Sequence, residues 1–525
     1  MGETVSEPPG AGTSAVAAGI LTAAAVVVVA VSWIVSDALS RRWGRLPPGP
    51  VGLPVIGNFL ELMGSKGLPH RAMARLSRKY GPILFLKLGQ APLVLVSDQR
   101  LAKACLTGSN DKIFAGRPQM ESIRRLAFGE CPGIAMTPYG DAWRHVRKLC
   151  SLQLFTTRRV SEFEPLRRSE VMALVRRIKE QAGKKQEAVN LTQALNSLAE
   201  AVTSGLLLGK PLAEIGGGEA GVNMLTLVQR MTDLFQAPII GEFIPALGFL
   251  DRGTRAALDQ VHVGFEKLFS QLIPERQRRC PDSPQVILDV LLDNLDEDWA
   301  KSILMELIAA ASDTTAATLD WAMAELVASP QAMKRLQEEL DEVVAGEAAT
   351  DRLIEEAELG KLVYLKAVLK ETMRLHPPVP LLVPHMSMET CCYVDGYKIP
   401  RGADCWSMLG PSDETLLVGR IGRSTSSPSD FSHGGRSHRL SPASTLSSCH
   451  LAAAGAFAQA CPWPFPSLSP PLPTLCTPST GMCLPTALLT CPSAFPPLLA
   501  APPLSLLSPS FVTPQISPFY IYIRL

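Results

Sequence analysis

Charge of either sign is missing from the last part of this chain: between Ser441 and Ile523 there is no Asp, Glu, Lys or Arg. That stretch is crowded with Pro, Ser, Leu, Thr and Ala, as in PFPSLSPPLPTLCTP. So many prolines exclude long helices and central strands. The segment is too apolar for a solvated linker and too Pro-broken for a membrane helix. Net charge is missing as well: 50 basic against 49 acidic residues leave +1, which removes the usual reason to expect nucleic acid as a partner. CxxC spacing is absent among the 12 cysteines, so neither a zinc module nor a disulfide scaffold is indicated. Reduced thiols in cores and loops are the plain reading. No internal repeat is evident, and 525 residues fit one large domain or two to three average ones.

Basic residues are also lacking ahead of the one long apolar run. Ala15–Val35, AVAAGILTAAAVVVVAVSWIV, is preceded by Glu3 and Glu7 and followed by Arg41, Arg42 and Arg45. The length suits a bilayer-crossing helix. A secretory signal peptide is the rival, but its apolar core is usually shorter and comes after basic residues. The positive-inside rule then predicts an uncleaved single-pass anchor with the body of the protein in the cytosol. Leu46-Pro47-Pro48-Gly49-Pro50 comes next, a stiff extended hinge or a plain linker.

Beyond the hinge the chain has the texture of a folded, mainly helical protein. Helical apolar periodicity covers Pro69–Tyr80, Ala142–Leu152, Arg158–Gln181, Val222–Phe235, Arg255–Arg279, Trp299–Ala328 and Pro330–Val344. Strand-like runs lie at Ile83–Leu88 and Leu93–Val96, and Cys392–Ile399 reads as a hairpin around Asp395-Gly396. The fold class predicted is mainly α with small β-sheets.

Three motifs carry chemistry. Ala310-Ala311-Ser312-Asp313-Thr314-Thr315 places small residues, then an acid and a hydroxyl, inside an apolar helix. Small residues admit a flat ligand, and a buried acid is costly unless solvated or used. The plain alternative is local side-chain-to-backbone bonding. Glu371 and Arg374 share a helix face just before Pro377-Pro378 and can pair; a surface pair of small worth is the alternative. Trp143 and Arg147, four apart, could both donate to an anionic ligand. An amphipathic basic helix is the alternative there.

Taken in order, the apolar run, the PPGP hinge, WxxxR, AAxDTT, ExxR and the hairpin resemble the cytochrome P450 family over about residues 46–404. The likeness is to plant microsomal members, the group that includes terpenoid and phenylpropanoid hydroxylases. FAGRP at Phe114–Pro118, PYGDAWR at Pro138–Arg144, TLDWAMAEL at Thr318–Leu326 and LHPP at Leu375–Pro378 strengthen it. The resemblance implies haem as cofactor and O2, an NADPH-dependent reductase, a small apolar substrate and membrane lipid as partners. It implies that Asp313 and Thr314 form the proton-delivering acid–alcohol pair. Glu371 and Arg374 match the ion pair that fixes the core near the haem. Trp143, Arg147 and His385 match contacts to the haem propionates. Ala311 departs from the usual Gly. The basic face with Arg144 and Lys148 is a candidate reductase-docking surface or simply solvated.

The family's FGxGRRxCPG loop and the PERF-like segment before it do not occur, so no residue is assigned as the metal ligand. The thiolate matters because its electron donation favours O–O cleavage. Codon degeneracy permits another reading: one base out of register, Trp406–Thr415 allows VNAWAIGRD, Ser427–Ser432 allows PERFL, and Cys449–Pro462 allows PFGGGRRICPGMP. The sequence alone therefore suggests a one-base frame change just after Asp404. On that reading the P450 domain is truncated before the haem-thiolate loop. The chain divides into 1–45 (anchor and basic flank), 46–404 (partial P450 domain) and 405–525 (aberrant, disordered tail). The expected function is a haem-thiolate monooxygenase of the endoplasmic reticulum membrane hydroxylating a small apolar metabolite. The alternative is a catalytically dead product lacking the haem-ligating Cys.

Overall fold

The computed structural model describes residues 45–408, leaving out 64–67, 108–109, 186–188, 212–214, 216–223, Pro238, 279–283, 345–353 and 390–391, together with Val28, Val31, Ser32, Val35, Tyr522 and Ile523. The α-helices in chain order are α1 (Phe59–Met63), α2 (Pro69–Tyr80), α3 (Gln99–Leu106), α4 (Glu121–Leu126), α5 (Asp141–Leu149), α6 (Thr157–Glu162), α7 (Glu164–Lys185), α8 (Leu191–Leu208), α9 (Met224–Gln236), α10 (Ile240–Phe243), α11 (Arg252–Gln277), α12 (Ile287–Asn294), α13 (Glu297–Ala328), α14 (Pro330–Val344) and α15 (Val363–Leu375). The strands are β1 (Ile83–Leu88), β2 (Ala91–Val96), β3 (Val189–Asn190), β4 (His385–Met386), β5 (Cys392–Val394), β6 (Tyr397–Ile399), β7 (Asp404–Ser407) and β8 (Tyr522–Ile523). The predicted mainly α class with small sheets is what forms.

Helix α13 is the axis. Its 32 residues begin with Glu297 and Asp298, whose charges suit the positive end of the helix dipole. It stops at Ser329 because Pro330 cannot extend it, and Pro330 then opens α14. The N-terminal half of α13 shares an apolar cluster with α9, α11 and α12, built on Phe265, Phe269, Leu288 and Ile308. Its C-terminal half shares another with α7, α8, α14 and α15, built on Leu195, Leu319, Met323 and Leu365. Between the two clusters the middle of α13 is left partly accessible.

The main sheet has the order β1-β2-β7-β4. A hairpin turning at Gly89, with φ +58°, joins β1 and β2. Strand β7 lies parallel to β2, and β4 closes the edge antiparallel to β7. The hairpin β5–β6 turns at Asp395-Gly396, both at positive φ, as the Asp-Gly signal predicts.

Two expectations are corrected here. The apolar run Ala15–Val35 lies for the most part outside the described residues, and among those described no helix is long and apolar enough to cross a membrane. The structure therefore does not uphold the transmembrane helix, nor the single-pass placement in the endoplasmic reticulum membrane built on it. Truncation at Asp404 fails as well. Strand β7 runs across that point, with Asp404, Cys405, Trp406 and Ser407 in unbroken register against Leu93, Val94, Leu95 and Val96.

Candidate active site

The accessible middle of α13 carries the first motif. Leu307 and Ile308 before it and Ala316, Thr318 and Leu319 after it are buried, while Ala309, Ala310, Ala311, Thr314 and Thr315 are half-buried. Asp313 is exposed by surface area yet crowded by protein, as a carboxyl is when it faces an internal hollow rather than open water. Burial pushes its carboxyl above the usual carboxylate range, a hydrogen bond with Thr232 of α9 opposes this, and Asp233 adds to the rise. The Thr314 hydroxyl donates to the Ala310 carbonyl at 2.8 Å, and Thr318 donates to the Thr314 carbonyl at 2.8 Å. Back-bonding of this kind fixes the rotamer and leaves the hydroxyl oxygen free to accept. Ser312 Oγ is buried without a hydrogen-bond partner.

The second motif is a buried clamp rather than a surface pair. Arg374 Nε and Nη2 donate to the two Glu371 carboxylate oxygens at 2.8 and 2.7 Å, and the Glu371 side chain is 1% exposed. Just beyond the helix end, His376 Nε2 lies 2.8 Å from Glu325 Oε1 of α13, and its ring stacks on Trp321. Helix α15 is thereby tied to α13.

Trp143 and Arg147 are both half-buried on α5. Trp143 packs on the apolar cluster against which Ala309 and Ala310 of α13 also pack. Arg144 instead turns outward to Asp141 and Tyr139. His385 is buried on β4 and engages the Phe114 carbonyl through Nδ1 at 2.7 Å. Burial, then the neighbouring Arg117, push its imidazole down to about 3, so it is neutral at physiological pH. Arg117 is also buried and donates to the Pro384 carbonyl at 2.9 Å. The FAGRP segment alone gives Arg117 no role; a cation inside an apolar run is the signal that could have found one.

Glu306 escapes sequence reasoning too. Two turns before Asp313, it accepts backbone hydrogen bonds from Ile134 and Ala135 at 2.7 and 3.0 Å. Burial pushes its carboxyl up to about 8, against the pull of those two N–H groups and of Arg117. Gly133, at φ +85°, is required there, since a Cβ would collide with the Glu306 carboxylate.

The long central helix with an acid–alcohol turn and the ExxR clamp behind it match a known family. A family model described as Cytochrome P450 matches residues 47–410. The chain belongs to the cytochrome P450 family. Cytochrome P450 71AP13 of Prunus mume is 37% identical over 392 residues, covering 72% of this chain and 74% of that protein. Flavonoid 3'-monooxygenase of Petunia hybrida is 33% identical over 373 residues, covering 68% of this chain and 70% of that protein. A zebrafish cytochrome P450 solved with abiraterone has the same fold, with a TM-score of 0.55 at 23% identity over 75% of this chain and 90% of that one. At the level of the family this is a haem-thiolate monooxygenase, an oxidoreductase that works with a reductase, O2 and an organic substrate.

Family membership corrects the remaining expectations. The match runs through Asp404 to residue 410, and β7 is continuous there, so the frame change is overturned. The shifted reading rested on codon degeneracy, which permits a motif without requiring it. The expectation that no cysteine remains for the haem is likewise set aside. Cys405 is buried at 1% exposure on β7, opposite His385 in the sheet. Neither the fold nor the relatives support a dead product. The residues present fit a haem. An unpartnered Ser312 Oγ, an accessible acid–alcohol turn and buried Arg117 and His385 suit a flat anionic group lying under α13.

Proposed function

We propose that the accessible turn of α13 is the oxygen-activating face of the site and that Asp313 and Thr314 supply its protons. The observation that carries this is the pairing on one turn. Asp313 is held by Thr232 with its carboxyl raised by burial above the usual carboxylate range, and the Thr314 hydroxyl is fixed by Ala310 with its lone pairs available. A carboxyl whose protonated form is favoured by burial, beside an oriented hydroxyl, can pass protons inward from solvent.

Haem, when bound, supplies the iron at which dioxygen is activated. The chain's own residues do the rest. Arg117, Arg147 and Trp143 can donate to its carboxylates, while neutral His385, whose one N–H goes to the Phe114 carbonyl, braces the strand beside them. The Glu371–Arg374 clamp, with His376 tying α15 to α13, would stiffen the helices that hold the group. Residues 47–410 act as the catalytic domain, strand β7 included. Electrons come from an NADPH-dependent reductase meeting the basic face of α5, where Arg144 and Lys148 are exposed. The substrate is a small apolar metabolite; the flavonoid monooxygenases among the relatives favour a planar phenolic one.

The reduced, CO-bound absorption spectrum of the expressed chain tests the reading. A Soret band at the position of thiolate-ligated haem is expected. A chain that folds but gives no such band, with haem supplied, would sink the proposal.

A further inference from the structure

Helix α8 carries a carboxyl that the proton-delivery reading does not use. The helices α8 and α13 run antiparallel, fastened near one end by the hydrogen bond from Thr192 Oγ1 to Asp320 Oδ1 at 2.9 Å. Eight residues along α8 from Thr192 is Glu200, and seven back along α13 from Asp320 is Asp313. Both steps are close to two turns, roughly 11–12 Å at the α-helical rise. The two carboxyls therefore lie at one level of the seam, near enough for the charge of Asp313 to act on Glu200, and each is raised by burial. Glu200 is pushed up to about 7, first by burial and then by the charge of Asp313.

The groups around the pair leave it without a fixed counter-charge. From α7 the face against α8 is apolar, with Leu166, Leu174 and Val175. From α12, Asp289 is engaged by Arg276 at 2.6 Å, at the far end of α8. From α13, Asp320 is bound by Thr192, and from α9, Asp233 and Thr232 face Asp313. Two half-enclosed carboxyls with no cation placed between them among the described residues cannot both be charged at little cost, so burial favours a proton on one of them. Glu200 itself is half-buried between buried Ala199 and Val202, which leaves it one edge toward solvent.

We propose that Glu200 is a positioning residue that returns the proton to Asp313 after each delivery, making the α8–α13 seam the entry path for protons. The proposal rests on the assignment of Asp313 as the proton donor. As Asp313 gives up its O–H proton to the oxygen site, the Glu200 O–H bond breaks and a new O–H forms on Asp313 along a short hydrogen-bonded path. Water then reprotonates Glu200. No electrons move between the carboxyls; those that reduce O2 come from the reductase.

The test uses the full chain and begins with its infrared carboxylic-acid band, followed against pH. A band titrating near neutrality is expected. It should vanish in Glu200→Gln and return, displaced, in Glu200→Asp. Asp313→Asn should move it to lower pH, because the charge that raises Glu200 is gone. A band unmoved by Asp313→Asn, or still present in Glu200→Gln, overturns the proposal. Should Glu200→Gln fail to fold, the Asp313→Asn comparison decides alone. In the reductase-coupled enzyme, product formed per NADPH should fall in the parent as pH rises past 7, by roughly tenfold per unit for a path that needs the protonated acid, whereas in Glu200→Gln it should be low and flat with pH, and Glu200→Asp should restore the pH-dependent coupling. Unchanged coupling in Thr314→Ala would instead remove the parent reading and leave the titration of the carboxyl pair standing.

Discussion

His376 lies flat on Trp321, with ring centroids 3.7 Å apart and 5° between planes, while its Nε2 sits 2.8 Å from Glu325. One side chain at the end of α15 thus grips α13 through both a face and an edge. His376→Ala should remove a stacking contact and a hydrogen bond to a carboxylate, together about 2–3 kcal/mol. Thermal unfolding checks this: a midpoint lowered by several degrees is expected, and His376→Phe, which keeps the stack, should recover about half.

The Glu371–Arg374 clamp leads to a second expectation. Glu371→Gln leaves a guanidinium beside a neutral amide, and Glu371→Ala leaves it with no partner at all. Breaking a fully buried pair costs about 3–5 kcal/mol, but Arg374 is 37% exposed and water screens part of that. A loss of about 2 kcal/mol and a chain that retains less haem on purification are expected. Haem-to-protein absorbance ratio and urea midpoint measure the two effects separately.

Much of this architecture is legible in the sequence where one face of an element meets solvent. Pro69–Tyr80, Ile83–Leu88 and Pro330–Val344 form over the spans their periodicity predicts. The region Arg158–Gln181 instead splits into α6 and α7 at Phe163. Helix α8 shows no clean pattern. It is packed between α7 and α13, and Leu191, Thr192, Thr203, Ser204, Leu207 and Leu208 are buried around most of its circumference. A helix enclosed on several faces loses the amphipathic signal, and Glu200 is hidden with it. The same holds at the site. Asp313, Thr314, Glu371 and Arg374 can be found because they sit in local spacings. Glu306 and Arg117 act on backbone 172 and 267 residues away, and no local pattern reports such a pairing.

Glu306 predicts a pH dependence. Its carboxyl is raised from 4.5 to about 8 in the folded protein, so the native state holds a proton that the unfolded state releases. Stability from this group is fully present below about 4.5 and is lost as pH rises through about 8. Glu306→Gln, which cannot ionise, should flatten stability between those limits, as urea midpoints across the range would show. The same substitution keeps one acceptor for the loop. Glu306→Ala removes both, and amide exchange at Ile134 and Ala135 should then rise by roughly tenfold or more, the loss of about one hydrogen bond's worth of protection. Unaltered exchange would mean that the loop is held by something other than this carboxyl.

Thr314 separates proton delivery from packing. Its hydroxyl donates to Ala310, so Thr314→Val keeps the volume and loses both the back-bond and the acceptor. Thr314→Ser keeps the hydroxyl with a looser rotamer. Positioned acid–base groups contribute about 10²–10⁴-fold, and activated oxygen that receives protons out of order leaves as peroxide. Thr314→Val should therefore consume NADPH at a rate within about threefold of the parent while product falls by about 10²-fold. Thr314→Ser should lie between the two. Asp313→Asn should slow NADPH consumption itself, because the proton supply precedes the branch at which peroxide escapes. Equal losses of product and NADPH turnover in Thr314→Val would assign the hydroxyl to the shape of α13 rather than to its chemistry.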